Sequence, residues 1–534
     1  MTLGEYLVKL LEEYHVDTVF GIPGVHTVEM YRGLAGSAIK HITPRHEQGA
    51  GFMADGYART SGKPGVAFVI TGPGLTNIVT AMGQAFADSI PMLVISAVNH
   101  IGDIGHGEGE LHESPNQGQL VAQVAASSFR VLTPSDLPKA IARAFAIFEG
   151  ARPRPVHIEI PVNLFAANAD DLEVKRAAII HPPRPSEQAV RQAAKLCDAA
   201  KHPVILLGGG ARGAGQAARE LAEHLDAPVV MTINGRGLVP AGHPLEVSAS
   251  PSLQAVRELI QNADLVLAFG TELGRTDYNM FDGTPFSVPA PLIRSDIDPV
   301  QIARNQPSTI ALVGDAGAAL RDLLSALEPT PKKADGAARA KATREAALAE
   351  QDQKYRALIA VLEGILAAVP DAVVVGDSTQ LTYAGNLYLP ISNSARWFNS
   401  ACGFGALGYA LPAAIGARAA QPQRPVICIA GDGGLQFTLG ELGTAMEVGG
   451  PLVILCWNNH GFGEIKSSMI HRNVTPIGVD LHTPDFVGLA KAYGLEALAP
   501  TAPGELGAIL REAVASGKPT MIEIEEALFL KDVD

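Results

Sequence analysis

Residues 431–461 constrain the fold of this chain more than any other stretch. Pro425-Val426-Ile427-Cys428-Ile429-Ala430 is a short β-rich run stopped by Gly431-Asp432-Gly433-Gly434. An amphipathic segment follows over 436–448, then an apolar run over 451–457 that ends in Asn458-Asn459-His460-Gly461. The order strand, glycine turn, helix, strand, loop predicts a βαβ unit with parallel strands. Asp432 and Asn459 then both fall at strand C-terminal ends, where open α/β sheets place ligands. A carboxylate from Asp432, an amide from Asn459 and the Gly461 carbonyl are hard oxygen donors suited to Mg²⁺, which completes its octahedron with phosphate oxygens and water. Gly431, Gly433 and Gly434 let backbone N–H groups approach those phosphates at the positive end of a helix. Taken alone, the same residues also fit a turn and a loop unrelated in space.

A chain of 534 residues is long enough for about three domains. With 47% hydrophobic and 18% charged residues it reads as a folded α/β enzyme. A net charge of -14 argues against a nucleic-acid surface, and no apolar run reaches membrane-spanning length. The N-terminus carries neither a basic segment nor a long apolar one, so a cytoplasmic location is expected. Cys197, Cys402, Cys428 and Cys456 lack metal-type spacing, and three of the four sit in apolar runs that read as buried thiols.

Alternating helical and strand patterns divide the chain into three doubly wound parallel-sheet α/β domains over 1–168, 186–328 and 345–534. The first contains strands near 18–20, 67–71, 92–98 and 156–160. A linker with Pro182, Pro183 and Pro185 precedes the second, which has strands at 203–207, 228–233, 265–269 and 292–295. A basic, proline-containing linker at 329–341 leads to a helix over 343–369 and the third domain. The charged run 332–344 reads as a solvated linker and helix face.

Further motifs occur in the first domain: Gly21-Ile22-Pro23-Gly24, Arg45-His46-Glu47-Gln48-Gly49-Ala50, Thr71-Gly72-Pro73-Gly74 with Asn77, and Asp88-Ser89-Ile90-Pro91. In this order, and with the Gly-Asp-Gly and Asn-Asn pair downstream, the chain resembles the acetolactate synthase and pyruvate decarboxylase superfamily of thiamin diphosphate enzymes over essentially its whole length. The resemblance implies a pyrimidine-binding first domain and a diphosphate- and Mg²⁺-binding third domain. Glu47 takes the position of the activating glutamate, sharing a proton with N1′ of the cofactor, and Pro23, Gly72 and Asn77 fall among the cofactor contacts. Ser378 and Thr379 face the diphosphate with Gly431, Asp432, Gly433, Gly434, Asn459 and Gly461. Leu407 falls on the wedge that bends the cofactor, and the Gly405 carbonyl on the group accepting from its 4′-amine. Because such sites close between subunits, the resemblance implies a homodimer or a dimer of dimers.

Gly208-Gly209-Gly210-Ala211-Arg212-Gly213 matches G-x-G-x-x-G, but Asp226 precedes the second strand instead of ending it, so the dinucleotide signature is incomplete. Relatives hold FAD, an ADP unit or nothing in this domain, and FAD stays open here.

The resemblance predicts attack on a 2-oxo acid, loss of CO₂ to an enamine, and then protonation to an aldehyde or addition to a second carbonyl. Ala122 and Ala126 stand near positions where acetolactate synthases use basic residues, no His-His pair occurs, and Ile465 replaces the C-terminal catalytic glutamate of pyruvate decarboxylase. The loop Gly105-His106-Gly107-Glu108-Gly109-Glu110-Leu111-His112-Glu113 offers His112, and Gln117 beyond it, to orient a carbonyl or move a proton. Its three glutamates suit a cationic tail. The expectation is a 2-oxo acid decarboxylase with a basic or polar substrate such as 5-guanidino-2-oxopentanoate. The alternatives are a carboligase of the acetolactate synthase type and a non-catalytic regulatory homologue.

Overall fold

The computed structural model describes residues 1–279 and 285–531. Three six-stranded sheets, parallel throughout, follow one another along the chain. The first contains β1 (Thr18–Gly21), β2 (Lys40–Ile42), β3 (Gly65–Val69), β4 (Met92–Val98), β5 (Ser127–Arg130) and β6 (Val156–Pro161). The second contains β7 (Pro203–Leu207), β8 (Val229–Met231), β9 (Glu246–Val247), β10 (Leu265–Phe269), β11 (Leu292–Asp296) and β12 (Ile310–Val313). The third contains β13 (Val373–Gly376), β14 (Trp397–Asn399), β15 (Val426–Gly431), β16 (Leu452–Asn458), β17 (Glu496–Leu498) and β18 (Thr520–Glu525).

The outer two sheets share one plan, β2-β1-β3-β4-β6-β5 and β14-β13-β15-β16-β18-β17. The middle one runs β12-β11-β10-β7-β8-β9, the doubly wound order with its switch point between β7 and β10. Central strands such as β15 and β16 are buried along nearly their whole length, which is why they read as unbroken apolar runs. The expected helix over 343–369 is two helices, Gly336–Ala349 and Gln353–Ala368, because Asp352 caps the second by accepting from Tyr355 N. The 436–448 segment is likewise broken into a 3₁₀ turn and helix Glu441–Val448. Of the basic run, Lys332 is structural: its Nζ donates to the Cys197 and Asp198 carbonyls at the end of helix Glu187–Ala199. The segment 532–534, which ends the expected third domain, and 280–284 within the second lie outside the described residues.

The first and third sheets share a hydrophobic core. Helix Glu47–Ser61 is buried from Gly49 to Thr60 because helix Ala410–Ala420 crosses it closely. A Cβ at Gly56 would stand 2.0 Å from the Ala413 carbonyl oxygen, and one at Gly416 would stand 1.9 Å from that of Met53. No helix among the described residues is long and apolar enough to cross a membrane.

Candidate active site

Strand β15 delivers Asp432 and β16 delivers Asn459, with Gly431 paired to Trp457 in the register between them. Asp432 is 1% exposed; its Oδ1 accepts from Asn459 N at 3.4 Å, while Oδ2 is buried without a hydrogen-bond partner. The Asn459 amide oxygen lies 3.1 Å from Asp432 Oδ1 and 2.9 Å from the Gly461 carbonyl oxygen. Turning that amide over would let it donate to both. With the oxygen inward, the amide nitrogen instead faces Gln380 Oε1 at 3.5 Å and Glu526 Oε2 at 3.4 Å. Asp432 Oδ2, buried without a hydrogen-bond partner, forms with the Gly461 carbonyl and the Asn459 amide the donor set that a hard cation would complete with the amide oxygen turned inward. Burial pushes the Asp432 carboxyl above its ordinary range, countered by N–H groups of Asn459, Gly433 and Gly461.

A cavity of about 570 Å³ opens above this cluster, lined by Ser378, Thr379, Gly405, Leu407, the 431–434 turn, Asn459 and Gly461. Gly433 has no room for a side chain, since a Cβ would meet the Phe462 ring at 2.8 Å. Asp377, which sequence reasoning passed over, anchors the wall. Its carboxylate accepts from Ser378 N at 2.8 Å, Gly408 N at 3.3 Å and Ala410 N at 3.1 Å, so it holds β13 against the segment carrying Gly405 and Leu407. Burial pushes this carboxyl up to about 6 despite those donors.

The residues expected in the first domain assemble elsewhere. Glu47 is the first residue of helix Glu47–Ser61, and its Oε2 accepts from Asn77 Nδ2 at 2.9 Å. Gly72, at φ +64, starts helix Pro73–Asp88, and a Cβ there would strike the His112 carbonyl oxygen at 2.5 Å. A Cβ on Gly74 would approach Glu47 Oε1 at 3.5 Å, so Glu47, Gly72, Asn77 and His112 form one group at the C-terminal edge of the first sheet. Pro23 follows β1 on the same edge. None of these residues lines the Asp432 cavity.

Two side chains from afar brace this arrangement. Glu441 Oε1 accepts from Arg45 N at 3.0 Å and His46 N at 3.2 Å, fixing the approach to Glu47. Gln84, on helix Pro73–Asp88, accepts at Oε1 from Ala406 N at 3.1 Å and donates from Nε2 to the Cys402 carbonyl at 3.3 Å.

Gln117 requires a correction. It is 2% exposed, its Oε1 accepts from Thr71 Oγ1 at 2.9 Å and Gly72 N at 3.3 Å, and its Nε2 donates to Ser96 Oγ at 3.2 Å and the Ala97 carbonyl at 2.8 Å. With every amide valence used it positions the Gly72 turn and is not free to orient a substrate. Glu113 is spent too, accepting from Gly107 N, Gly109 N and Glu110 N to shape its own loop. Only Glu108 and Glu110 of the three loop carboxylates stay exposed. His112 packs edge-on against His26, ring centroids 5.3 Å apart, and Nδ1 of each ring is buried without a partner. His26 and His112 thus meet in space from separate loops, although the chain has no adjacent His-His pair.

In the middle domain the glycine-rich turn packs tightly: a Cβ on Gly208 would meet the Gly270 carbonyl oxygen at 2.3 Å. A second cavity, about 680 Å³, lies beside Gly208, Gly209 and Gly210 at the switch point and reaches Arg212 and Asp296. Asp226 faces away, bonding Ala334 N and Gly336 N. Arg212 Nη2 is buried there without a partner.

Comparison with known proteins agrees with this layout. The thiamine pyrophosphate enzyme N-terminal TPP binding domain matches residues 1–120, the central domain 190–323 and the C-terminal TPP binding domain 377–524. A probable 2-ketoarginine decarboxylase of Pseudomonas aeruginosa is 47% identical over 532 residues, spanning 99% of this chain and 94% of that protein. The acetolactate synthase isozyme 1 large subunit of Escherichia coli is 31% identical across 98% of this chain and 93% of its own length. Its isozyme 3 counterpart is 32% identical over 96% and 92%. With all three domains matched in order and near-complete coverage of such relatives, this chain belongs to the thiamine pyrophosphate enzymes, on the branch shared by acetolactate synthases and 2-oxo acid decarboxylases.

Proposed function

We propose that the protein decarboxylates a 2-oxo acid bearing a guanidino tail, using thiamin diphosphate and Mg²⁺ in a cleft closed by two copies of the chain. The observation that carries this reading is the unpartnered, buried Asp432 Oδ2 beside Asn459 and the Gly461 carbonyl, beneath a cavity that contains none of the first-domain group. When bound, the cofactor supplies the electron sink for loss of CO₂.

The chain's own residues have separate tasks. Asp432, Asn459 and the Gly461 carbonyl would hold the metal, and the N–H groups of 431–434 with Ser378 and Thr379 would hold the diphosphate. Leu407 and the Gly405 carbonyl would orient the ring system. Glu47, steadied by Asn77, would hold a proton at the pyrimidine nitrogen, while His112 beside His26 would move one near the reacting carbon. Because Glu47 is absent from the cavity of its own chain, a second copy would supply it. Exposed Val25 and Val28 beside the first group, and Phe404 and Phe437 beside the second, are the apolar surface such an interface would cover.

The guanidino substrate is read from the 47% identical relative. Release of CO₂ from 5-guanidino-2-oxopentanoate, pyruvate and uncharged 2-oxo acids, with identification of the product, tests it. Faster turnover of pyruvate removes the cationic-tail reading. A condensed hydroxyketone in place of an aldehyde favours the carboligase reading, which the acetolactate synthases support. A cytoplasmic location fits a small-molecule decarboxylase. The unpaired Arg212 Nη2 beside the second cavity fits an anionic group such as the diphosphate of FAD, and a flavin absorption band in purified protein tests that assignment.

A further inference from the structure

The 570 Å³ cavity contains two carboxylates. Asp432 belongs to the oxygen cluster. The other, Glu464, lies in the first turn of helix Gly463–His471, directly after the Gly461–Phe462 segment. A glutamate there is favourable for the helix alone, but this one turns toward the cavity. Its hydrogen bond among the described residues comes from Gln380 Nε2 at 3.4 Å, close to the limit for such a bond. Arg275 stands on the cavity wall without forming an ion pair to Glu464. The carboxylate is half-buried.

Its surroundings are aromatic. Tyr383 and Phe462 line the same cavity, and Tyr355 lies close enough that the Glu464 charge adds to the burial that raises the Tyr355 and Tyr383 hydroxyls. A carboxylate beside aromatic faces suits a planar guanidinium, which can pair through its N–H fork and stack through its face. An ammonium would gain less, because it cannot present a planar fork.

We infer that Glu464, bordered by Tyr383 and Phe462, selects a cationic guanidino tail in the substrate. The inference rests on the decarboxylase reading above and transfers recognition of the tail from the 108–113 loop to the third domain. The 2-oxo end would lie toward Gly405 and Leu407, with the three-carbon spacer crossing the cavity.

The test compares kcat/KM for 5-guanidino-2-oxopentanoate and for 2-oxohexanoate in cofactor-loaded wild-type protein, Glu464→Gln, Glu464→Lys and the double variant Glu108→Gln/Glu110→Gln. Glu464→Gln should lower the ratio of the two by about 10- to 100-fold, the scale of a charge-assisted hydrogen bond. Glu464→Lys should prefer 2-oxoadipate to the guanidino acid, an outcome a misfolded variant cannot produce. Calorimetry with 5-guanidinopentanoate, which cannot react, should show about 10-fold weaker binding to Glu464→Gln. An equal loss for both substrates, or a ratio that changes only in the loop variant, overturns the inference while leaving the decarboxylase reading intact. A wild-type enzyme that turns over 2-oxohexanoate but not the guanidino acid overturns the inference together with the guanidino substrate proposed above, and leaves decarboxylation of a 2-oxo acid standing.

Discussion

Asn77 Nδ2 donates to Glu47 Oε2 at 2.9 Å, tying the carboxylate that opens one helix to the first turns of the next. A charged acceptor held by a fixed amide is pre-oriented for proton exchange with a partner on its other oxygen. Glu47→Gln is expected to lower kcat by about 100-fold or more with an unchanged far-ultraviolet circular dichroism spectrum, the scale of acid–base catalysis. Asn77→Ala should cost less, about 10-fold, since the carboxylate remains. Steady-state decarboxylation assays measure both.

Separation of Glu47 from the Asp432 cavity yields a complementation test. Glu47→Gln and Asp432→Asn should each be inactive alone. Mixed after dissociation and reassociation, they should recover about a quarter of wild-type activity, because half the dimers are hybrids and each hybrid has one intact site. No recovery in verified hybrids would place both residues in one chain's site.

Replacing Asn459 by Ala removes one oxygen from the cluster beneath the cavity. The Mg²⁺ concentration for half-maximal cofactor binding should rise by about 10- to 100-fold. Isothermal titration at several Mg²⁺ concentrations checks this. Chelation should release the cofactor from wild-type protein.

His157 predicts a pH effect on stability. Its ring nitrogens meet Ser96 Oγ and Ser128 Oγ at 2.8 Å, and burial, with a smaller contribution from Arg130, drops its pKa to about 3. An unfolded histidine titrates near 6.5, so unfolding takes up a proton between those values. The contribution is complete above about pH 6.5 and is lost as pH falls toward 3. Thermal midpoints of wild-type protein should therefore fall more steeply than those of His157→Gln across that window.

Gly416→Ala would drive a methyl to 1.9 Å from the Met53 carbonyl. Forcing apart two backbones at the core shared by the first and third sheets should cost about 3 kcal/mol. Urea denaturation should show a lower midpoint, with a far smaller effect for Gly364→Ala, where a Cβ meets nothing within 4 Å.

Local chemistry accounts for what the sequence disclosed. Asp432 and Asn459 are legible because a βαβ unit places successive strand ends side by side, and the apolar run at 67–71 marks the strand end before Gly72, whereas Glu47 is legible only through the family resemblance. Asp377 and Glu441 were not legible. They act on backbone N–H groups of Ala410 and Arg45, 33 and 396 residues away, and no residue type marks the recipient of such a bond. His26 and His112 meet only because two loops fold over one sheet edge. Gln117 misled because a loop glutamine suits catalysis and buried bonding equally, and only its partners decide. The uncapped reading of 343–369 missed the break at Asp352 because alanine-rich flanks continue the helical pattern on both sides.

Helix Pro73–Asp88 grips Glu47 through Asn77 near its start and, through Gln84 two turns later, the segment that leads to Gly405 and Leu407. In an assembly where those two ends serve different clefts, this helix is a yoke. There, a sideways shift of its axis would move Glu47 at one cleft and Leu407 at its neighbour together, so that paired clefts would share one mechanical setting.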